Sequence, residues 1–330
     1  MTGATIKAFR AHRLVGLDAA AVEDVPQPVP GAGEIAVAVE AASVQLADLA
    51  ALSGARRPTP EVPFTPGLEG AGRVVAIGPD VTSHAVGDRV CAYFPTGCLA
   101  ECALTLASLA VPLPKRVAAQ SAAALPFAYA GALMGLRDKA RLGEGETLLV
   151  MGAGGLAGLA AVEVGKILGA RVIAAASGED RAAGAVASGA DHTVDPAAAQ
   201  LGEAVNAITG GKGADVIFDP VGGDAFQAAL AAGATGARFV IAGFASGKPG
   251  EVKTGLFYAR DRQLVASNTL LAIAAYPLRA LAALATVVEW AAEGKIEPRI
   301  AAKFALKDAR HAFDYVRTRR GSGAVVVTMG

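Results

Sequence analysis

From residue 147 the chain alternates short apolar runs with Ala- and Leu-rich stretches of helical length. TLLVM is followed by LAGLAAVEVGKILG, then RVIAAA, RAAGAVASG, DVIFDPV, DAFQAALAAG and ARFVIAG. Apolar runs this short, with no polar alternation, are strands buried on both faces. Alternating with helices, they predict a parallel sheet covered on each side. The first hundred-odd residues read as strands and turns instead. EIAVAVEAA (34–42), AGRVVAIG (71–78) and RVCAYF (89–94) are short β-type runs separated by Pro26, Pro28, Pro30, Pro58, Pro60, Pro63 and Pro66, as in a compact β-rich domain. Residues 118–142 are helical in character. Two further helical stretches, 277–293 and 307–318, precede a last strand, AVVVTM.

Composition narrows the function classes. With 53% hydrophobic and 18% charged residues, the chain suits a globular protein with a large core. Its formal net charge of zero gives no reason to expect nucleic acid or an anionic membrane as partner. No run reaches the roughly 18 apolar residues of a membrane helix. The opening MTGATIKAFRAHRL has no secretory apolar stretch, so a cytoplasmic address is expected. Cys91, Cys98 and Cys102, with the scattered His12, His84, His192 and His311, do not make up a closed zinc site, so no metal is expected.

The strongest chemical signal is the turn after TLLVM. Gly152, Ala153, Gly154, Gly155, Leu156 and Ala157 lead from strand to helix, and Gly152, Gly154 and Ala157 satisfy the G-x-G-x-x-G/A dinucleotide fingerprint. The first glycine permits the tight turn and the second lets backbone approach a pyrophosphate. The third small residue lets helix and strand pack closely, and the helix N-terminus offers unpaired N–H groups to phosphate. A carboxylate at the end of the next strand would bond a ribose 2′-hydroxyl and select NAD. Here Ser177 stands in that place and Arg181 follows four residues later, a pair suited to a 2′-phosphate and hence to NADPH. Glu179 and Asp180 intervene.

Several stretches together resemble the medium-chain dehydrogenase/reductase superfamily. PFTPGLEGAGRVVAIGPDV and VGDRV resemble its GroES-like domain signature. FDPVGGDAF, RFVIAGFASG and GSGAVVVTM resemble its zinc-independent, zeta-crystallin-type quinone oxidoreductase branch. The resemblance implies an α/β fold with a doubly wound parallel Rossmann sheet inserted into a GroES-like β-rich catalytic domain. The expected boundaries are 1–120 and 269–330 for the catalytic domain and 121–268 for the Rossmann domain, with a homodimer as the assembly. The zinc-dependent branch carries cysteine where this chain has Gln45 and histidine where it has Leu68, and its four-cysteine lobe has no counterpart after Val90. Leucine cannot ligate zinc.

The same resemblance assigns roles to particular residues. Val221, Gly243, Phe244 and Asn268 would meet the cofactor, core packing being the alternative for Phe244. Gln45 and Asp48 would line the nicotinamide as the catalytic pair, Gln45 positioning a carbonyl or carboxamide and Asp48 orienting Gln45 or backbone, with direct proton chemistry as the alternative. Tyr129 would face the substrate or be a buried hydrogen-bonded phenol. Arg56 replaces the branch's usual aromatic and would capture an anionic substrate group or lie in a solvated loop. Leu156 replaces a glycine of the branch's GAAGGVG loop, and Ala130-Gly131 replaces Thr-Ala. The implied activity is NADPH-dependent hydride transfer to a quinone or an α,β-unsaturated carbonyl. The alternatives are an enoyl-thioester reductase and a crystallin-like protein that binds NADPH without turnover.

Overall fold

The computed structural model describes residues 4–196, 201–318 and 321–330. Its contacts divide the chain into two compact units: Met1–Phe127 with Leu284–Arg320 and Ala324–Gly330, and Ala128–Ala283 with Gly321–Gly323.

The first unit opens with an antiparallel pair, β1 (Thr5–Ala11) and β2 (Ala20–Pro26). Next come β3 (Glu34–Ser43), helix α1 (Leu46–Leu52), β4 (Glu69–Ile77), β5 (Arg89–Tyr93), β6 (Cys102–Leu106), β7 (Ala110–Pro112) and the single turn α2 (Ala119–Ala122). The LADLAAL stretch forms α1 inside a region that reads as strands and turns. Asp48, at its third position, accepts the Gln45 N–H at its start, which is the usual nucleating device of a helix N-terminus.

The second unit begins in a helical run whose centre, α3 (Ala130–Leu133), is flanked by wider π-helical turns at Leu125–Tyr129 and Met134–Lys139. Six strands follow: β8 (Thr147–Met151), β9 (Arg171–Ala175), β10 (His192–Val194), β11 (Ala214–Asp219), β12 (Gly233–Ile241) and β13 (Gln263–Ala266). Between and after them run α4 (Leu156–Ile167), α5 (Glu179–Ala187), α6 (Leu201–Ile208), α7 (Gly223–Ala232), α8 (Thr254–Tyr258), α9 (Thr269–Ala275) and α10 (Pro277–Ala292). The strands are all parallel, in the order β10-β9-β8-β11-β12-β13. This is the doubly wound order of a dinucleotide-binding sheet, two βαβαβ halves diverging from a central pair. All five residues of β8 are buried, as the absence of polar alternation implies.

The chain then returns to the first unit with β14 (Ile300–Ala305), α11 (Ala309–Arg317) and β15 (Ala324–Thr328). β15 pairs antiparallel with β3, placing Val326 opposite Ser43, and β14 joins it in parallel. Phe313 of α11 stacks on Phe9 of β1 at 5.5 Å, and Leu306, Val325 and Val327 share one core with Ile35, Val37 and Leu99. Both chain ends therefore build the β-rich unit, and the Rossmann unit is inserted between them along the chain. The unit boundaries fall at 127/128 and 283/284, later than the 120/121 and 268/269 expected from sequence. A Cβ on Gly131 would lie 2.7 Å from Thr269 Oγ1 and one on Gly135 would lie 3.0 Å from Ser267 Oγ. That close approach, possible only with glycine, binds α9 to the Rossmann unit.

Candidate functional site

Where β8 and β11 run side by side the strand order reverses, and ligands of such sheets sit beyond the carboxyl ends of that pair. β8 leads there into Gly152, whose φ of +60° lies in the left-handed region and whose missing Cβ would be 2.6 Å from Val221 Cγ2. Gly152 and Val221 thus meet at the switch point.

The small residues of the loop divide their work differently from the expectation. Gly158, not Ala157, allows close packing, since a Cβ there would stand 2.3 Å from the Gly152 carbonyl oxygen. At Gly154 the space a Cβ would fill holds the Arg181 side-chain stem, with Arg181 Cβ 2.5 Å away. The open position is Gly155, which is exposed and has no neighbour nearer than 3.6 Å to its missing Cβ. Gly155 caps α4 without any side-chain acceptor, so the first-turn N–H groups of this 12-residue helix are available to an anion. Leu156 is the first helical residue, where a side chain is tolerated. Gly155 also bridges to Gly323, a contact that sequence reading missed although the GSG preceding β15 was its signal.

Arg181, whose stem lies on this loop, and the exposed Ser177 follow β9, and no carboxylate stands between β9 and Gly178. A cradle of glycine backbone beside a guanidinium and a hydroxyl fits a dinucleotide carrying an extra phosphate. Asp219, at the end of β11, was not singled out from sequence. It is buried, and its Oδ1 accepts the Val221 N–H at 2.7 Å and the Gly222 N–H at 3.1 Å, holding the loop after β11 in shape. Burial raises its pKa, against the lowering effect of those hydrogen bonds. Phe244 is 50% exposed, which removes the core-packing reading. Its ring lies beside Gly222, while Gly243 packs on the Pro220 carbonyl, 3.2 Å from its missing Cβ. Asn268 is exposed, and its Oδ1 caps α9 by accepting the Leu271 N–H at 3.0 Å.

In the β-rich unit, Gln45 and Asp48 belong to a polar group beneath α1. Asp48 is fully buried, with Oδ2 accepting the Gln45 N–H at 2.9 Å and Oδ1 the Gly67 N–H at 3.0 Å. It ties the helix to the turn before β4. Half-buried Gln45 donates from Nε2 to Ser43 Oγ at 3.2 Å and to Glu69 Oε1. Both amide hydrogens are thereby committed inward. Any part Gln45 takes in positioning a carbonyl or carboxamide, as expected from sequence, therefore does not use these two hydrogens.

Glu69 is the residue that sequence reading passed over, although it stands in the quoted PGLEG. It is fully buried, and its Oε2 accepts the Phe127 N–H at 2.8 Å. Among the described residues no cation lies within ion-pair distance of it, so burial pushes its pKa up to about 8. Burial likewise lifts Asp48 to about 6, against the lowering effect of its two backbone hydrogen bonds.

Tyr129 is a correction. It is fully buried within the Rossmann unit and its hydroxyl donates to Glu163 Oε1 at 3.0 Å, so it does not face a substrate. Arg56 is half-buried in the turn after α1, and desolvation lowers its pKa. No group of three or more His, Cys, Asp or Glu side chains among the described residues is arranged to hold a metal ion. The position of the zinc branch's cysteine is filled by an amide engaged with Glu69, and that of its histidine by the buried Leu68. A zinc ion does not fit this donor set.

Two family models match the chain: an alcohol dehydrogenase GroES-like domain over residues 31–115 and a zinc-binding dehydrogenase domain over residues 157–286. The chain is an oxidoreductase of the medium-chain dehydrogenase/reductase superfamily. Within it, the chain belongs to the quinone oxidoreductase branch. It is 34% identical over 321 residues to quinone oxidoreductase-like protein 2 of Bos taurus, covering 93% of this chain and 88% of that one. It is also 32% identical over 304 residues to a mycocerosic acid synthase-like polyketide synthase of Mycolicibacterium smegmatis, covering 90% of this chain but 14% of the synthase. A quinone oxidoreductase of Pseudomonas syringae superposes with a TM-score of 0.90 at 29% identity, over 98% of this chain and 100% of that one. A mycobacterial protein solved in complex with NADPH superposes with a TM-score of 0.91 at 28% identity, again over 98% and 100%.

Proposed function

We propose that this protein is an NADPH-dependent, zinc-independent reductase of quinones and α,β-unsaturated carbonyls. The observation that carries the cofactor half is the Arg181 stem lying on Gly154, with no carboxylate between β9 and Gly178 to claim a 2′-hydroxyl. NADPH is the cofactor, in keeping with the NADPH complex among the structural relatives. The α4 N-terminus and Gly155 would take its pyrophosphate, and Arg181 with Ser177 its 2′-phosphate. Val221, Gly243 and Phe244 would border its nicotinamide half, and Asn268 would hold the start of α9 beside it. When bound, NADPH supplies a hydride that adds to the electron-poor carbon of the acceptor, while solvent supplies the proton.

The protein's own contribution is orientation and exclusion of water. Gln45 is fixed from behind by Ser43 and Glu69, and Asp48 holds the backbone that carries it, so within the β-rich unit this residue would offer the acceptor a rigid surface. Zinc independence follows from a donor set that cannot ligate the ion. A homodimer belongs to the same reading. The edge strand β13 leaves one side of its ladder unpaired, and Leu264, Leu271, Tyr258 and Tyr276 are exposed on β13, α8 and α9 around it. No helix among the described residues is long and apolar enough to cross a membrane, and a cytoplasmic location completes the proposal.

A second reading, enoyl-thioester reduction, is favoured by the match to a segment of a polyketide synthase over 90% of this chain. The test is an acceptor panel of 9,10-phenanthrenequinone, a short enone and a crotonyl thioester, each run with NADPH and NADH. Turnover of at least one acceptor with NADPH preferred is expected. Preference for NADH would overturn the cofactor assignment. Tight NADPH binding without turnover of any acceptor would leave a crystallin-like binding protein.

A further inference from the structure

Arg56 and Arg57 follow each other in the turn after α1, and the structure separates their roles. Arg57 is exposed, and its Nη1 donates to the Gly54 carbonyl at 2.6 Å, to the Arg56 carbonyl at 3.1 Å and to Thr59 Oγ1 at 2.8 Å. It pins the turn. Arg56 is the more buried of the two, yet among the described residues no hydrogen bond or ion pair engages its guanidinium. Other half-buried arginines of the chain are satisfied. Arg89 reaches the Pro114 and Val117 carbonyls, Arg262 those of Leu230 and Ala234, and Arg310 that of Ala20 and the carboxylate of Asp18.

The Arg56 guanidinium lies close enough for its charge to act on buried Asp48 at the start of α1. Asp48 does not satisfy it: no hydrogen bond or ion pair joins the two, and the carboxylate accepts the Gln45 and Gly67 N–H groups instead. A planar donor fork, half-stripped of water and with no acceptor among the described residues, suits an oxyanion brought by a ligand.

We infer that Arg56 binds an anionic group, a carboxylate or a phosphate, carried by the acceptor substrate at a distance from its reducible double bond. This rests on the reductase reading above and narrows its substrates to anionic enones and enoyl thioesters.

The experiment compares matched pairs. Crotonyl-CoA against crotonyl-N-acetylcysteamine tests phosphate, and 4-oxo-5-hexenoate against its methyl ester tests carboxylate. Each is assayed with NADPH on wild type, Arg56→Ala, Arg56→Lys and, as a control, the exposed Arg116→Ala. Arg56→Ala should lower kcat/KM for the anionic member of at least one pair by about 10- to 100-fold, through KM, and leave its neutral partner within about twofold. Arg56→Lys should recover part of the loss, and Arg116→Ala should show none. Which pair responds tells phosphate from carboxylate.

Equal losses on anionic and neutral members would overturn the inference. Should wild type turn over no acceptor, calorimetric titration of the NADPH-loaded protein with butyryl-CoA and butyryl-N-acetylcysteamine, and with 4-oxopentanoate and its methyl ester, decides separately. An Arg56-dependent preference for an anionic member would sustain the site while the reductase reading fails. No preference in either pair would overturn the site as well.

Discussion

Replacing Glu69 with glutamine removes a buried ionisable group while keeping its size, and the effect can be worked out from its surroundings. Among the described residues the carboxyl meets neutral partners, the Phe127 N–H, the Gln45 amide and the Ser43 hydroxyl. Its other charge-bearing neighbours, Asp48, Cys91, Cys98 and Tyr93, offer no positive charge, and the latter three are themselves pushed well above their ordinary pKa by burial. Burial therefore lifts the Glu69 pKa from its ordinary 4.5 to about 8. The folded state holds this proton more tightly than the unfolded state. Its stabilising effect is full below pH 4.5, declines as the pH rises, and is gone above about 8. At about 1.36 kcal/mol per pKa unit, the decline across that window is on the order of 4–5 kcal/mol.

Urea unfolding followed by Trp290, the chain's one tryptophan, reports on the β-rich unit that contains Glu69. Measured from pH 4.5 to 9 on wild type and Glu69→Gln, the difference in unfolding free energy isolates this group, because Asp48 titrates in both proteins. Wild type should be the more stable near pH 5, and its advantage should shrink by about 4 kcal/mol by pH 8. A difference that stays flat within about 1 kcal/mol across the range would refute the buried, unpaired state of Glu69.

Three further outcomes are expected. Gly158→Ala places a methyl group against the Gly152 carbonyl and should cost about 1–3 kcal/mol in thermal stability and weaken NADPH binding in a fluorescence titration, whereas Ala157→Gly should do neither. Arg181→Ala should raise the KM for NADPH by about 10- to 100-fold and leave that for NADH unchanged, the reference being steady-state kinetics with one acceptor. Tyr129→Phe leaves Glu163 Oε1 with one donor fewer and should lower unfolding free energy by about 1–2 kcal/mol, with kcat/KM for quinone unchanged; a selective loss of kcat would restore Tyr129 to the substrate site.

The Rossmann unit was legible along the chain because each of its parts is local. β8, the glycine turn and α4 are contiguous, and a strand with no polar alternation can only be buried on both sides. The β-rich unit was less so. Short strands around α1 carry weak periodicity, and alanine-rich LADLAAL gives little helical contrast until Asp48 is seen bonding to the Gln45 N–H. The glycines show the same division. Their clustering marked the loop, but which one faces Arg181, which packs on Gly152 and which stays open depends on atoms brought from elsewhere.

The amino-acid sequence alone determined the fold class, the dinucleotide loop, the lack of zinc ligands at Gln45 and Leu68, and the oddity of Arg56. These are matters of residue type and near-neighbour spacing. Only the tertiary structure decided that Glu69 is a buried acid, that the Gln45 amide faces inward, that Tyr129 is interior and that Arg56 lacks an acceptor. Burial and hydrogen-bond partners are set by segments far apart in the chain: Glu69 meets Phe127 across 58 residues and Tyr129 meets Glu163 across 34. A protonation state or a free donor is a property of that surrounding, which no single stretch of chain carries.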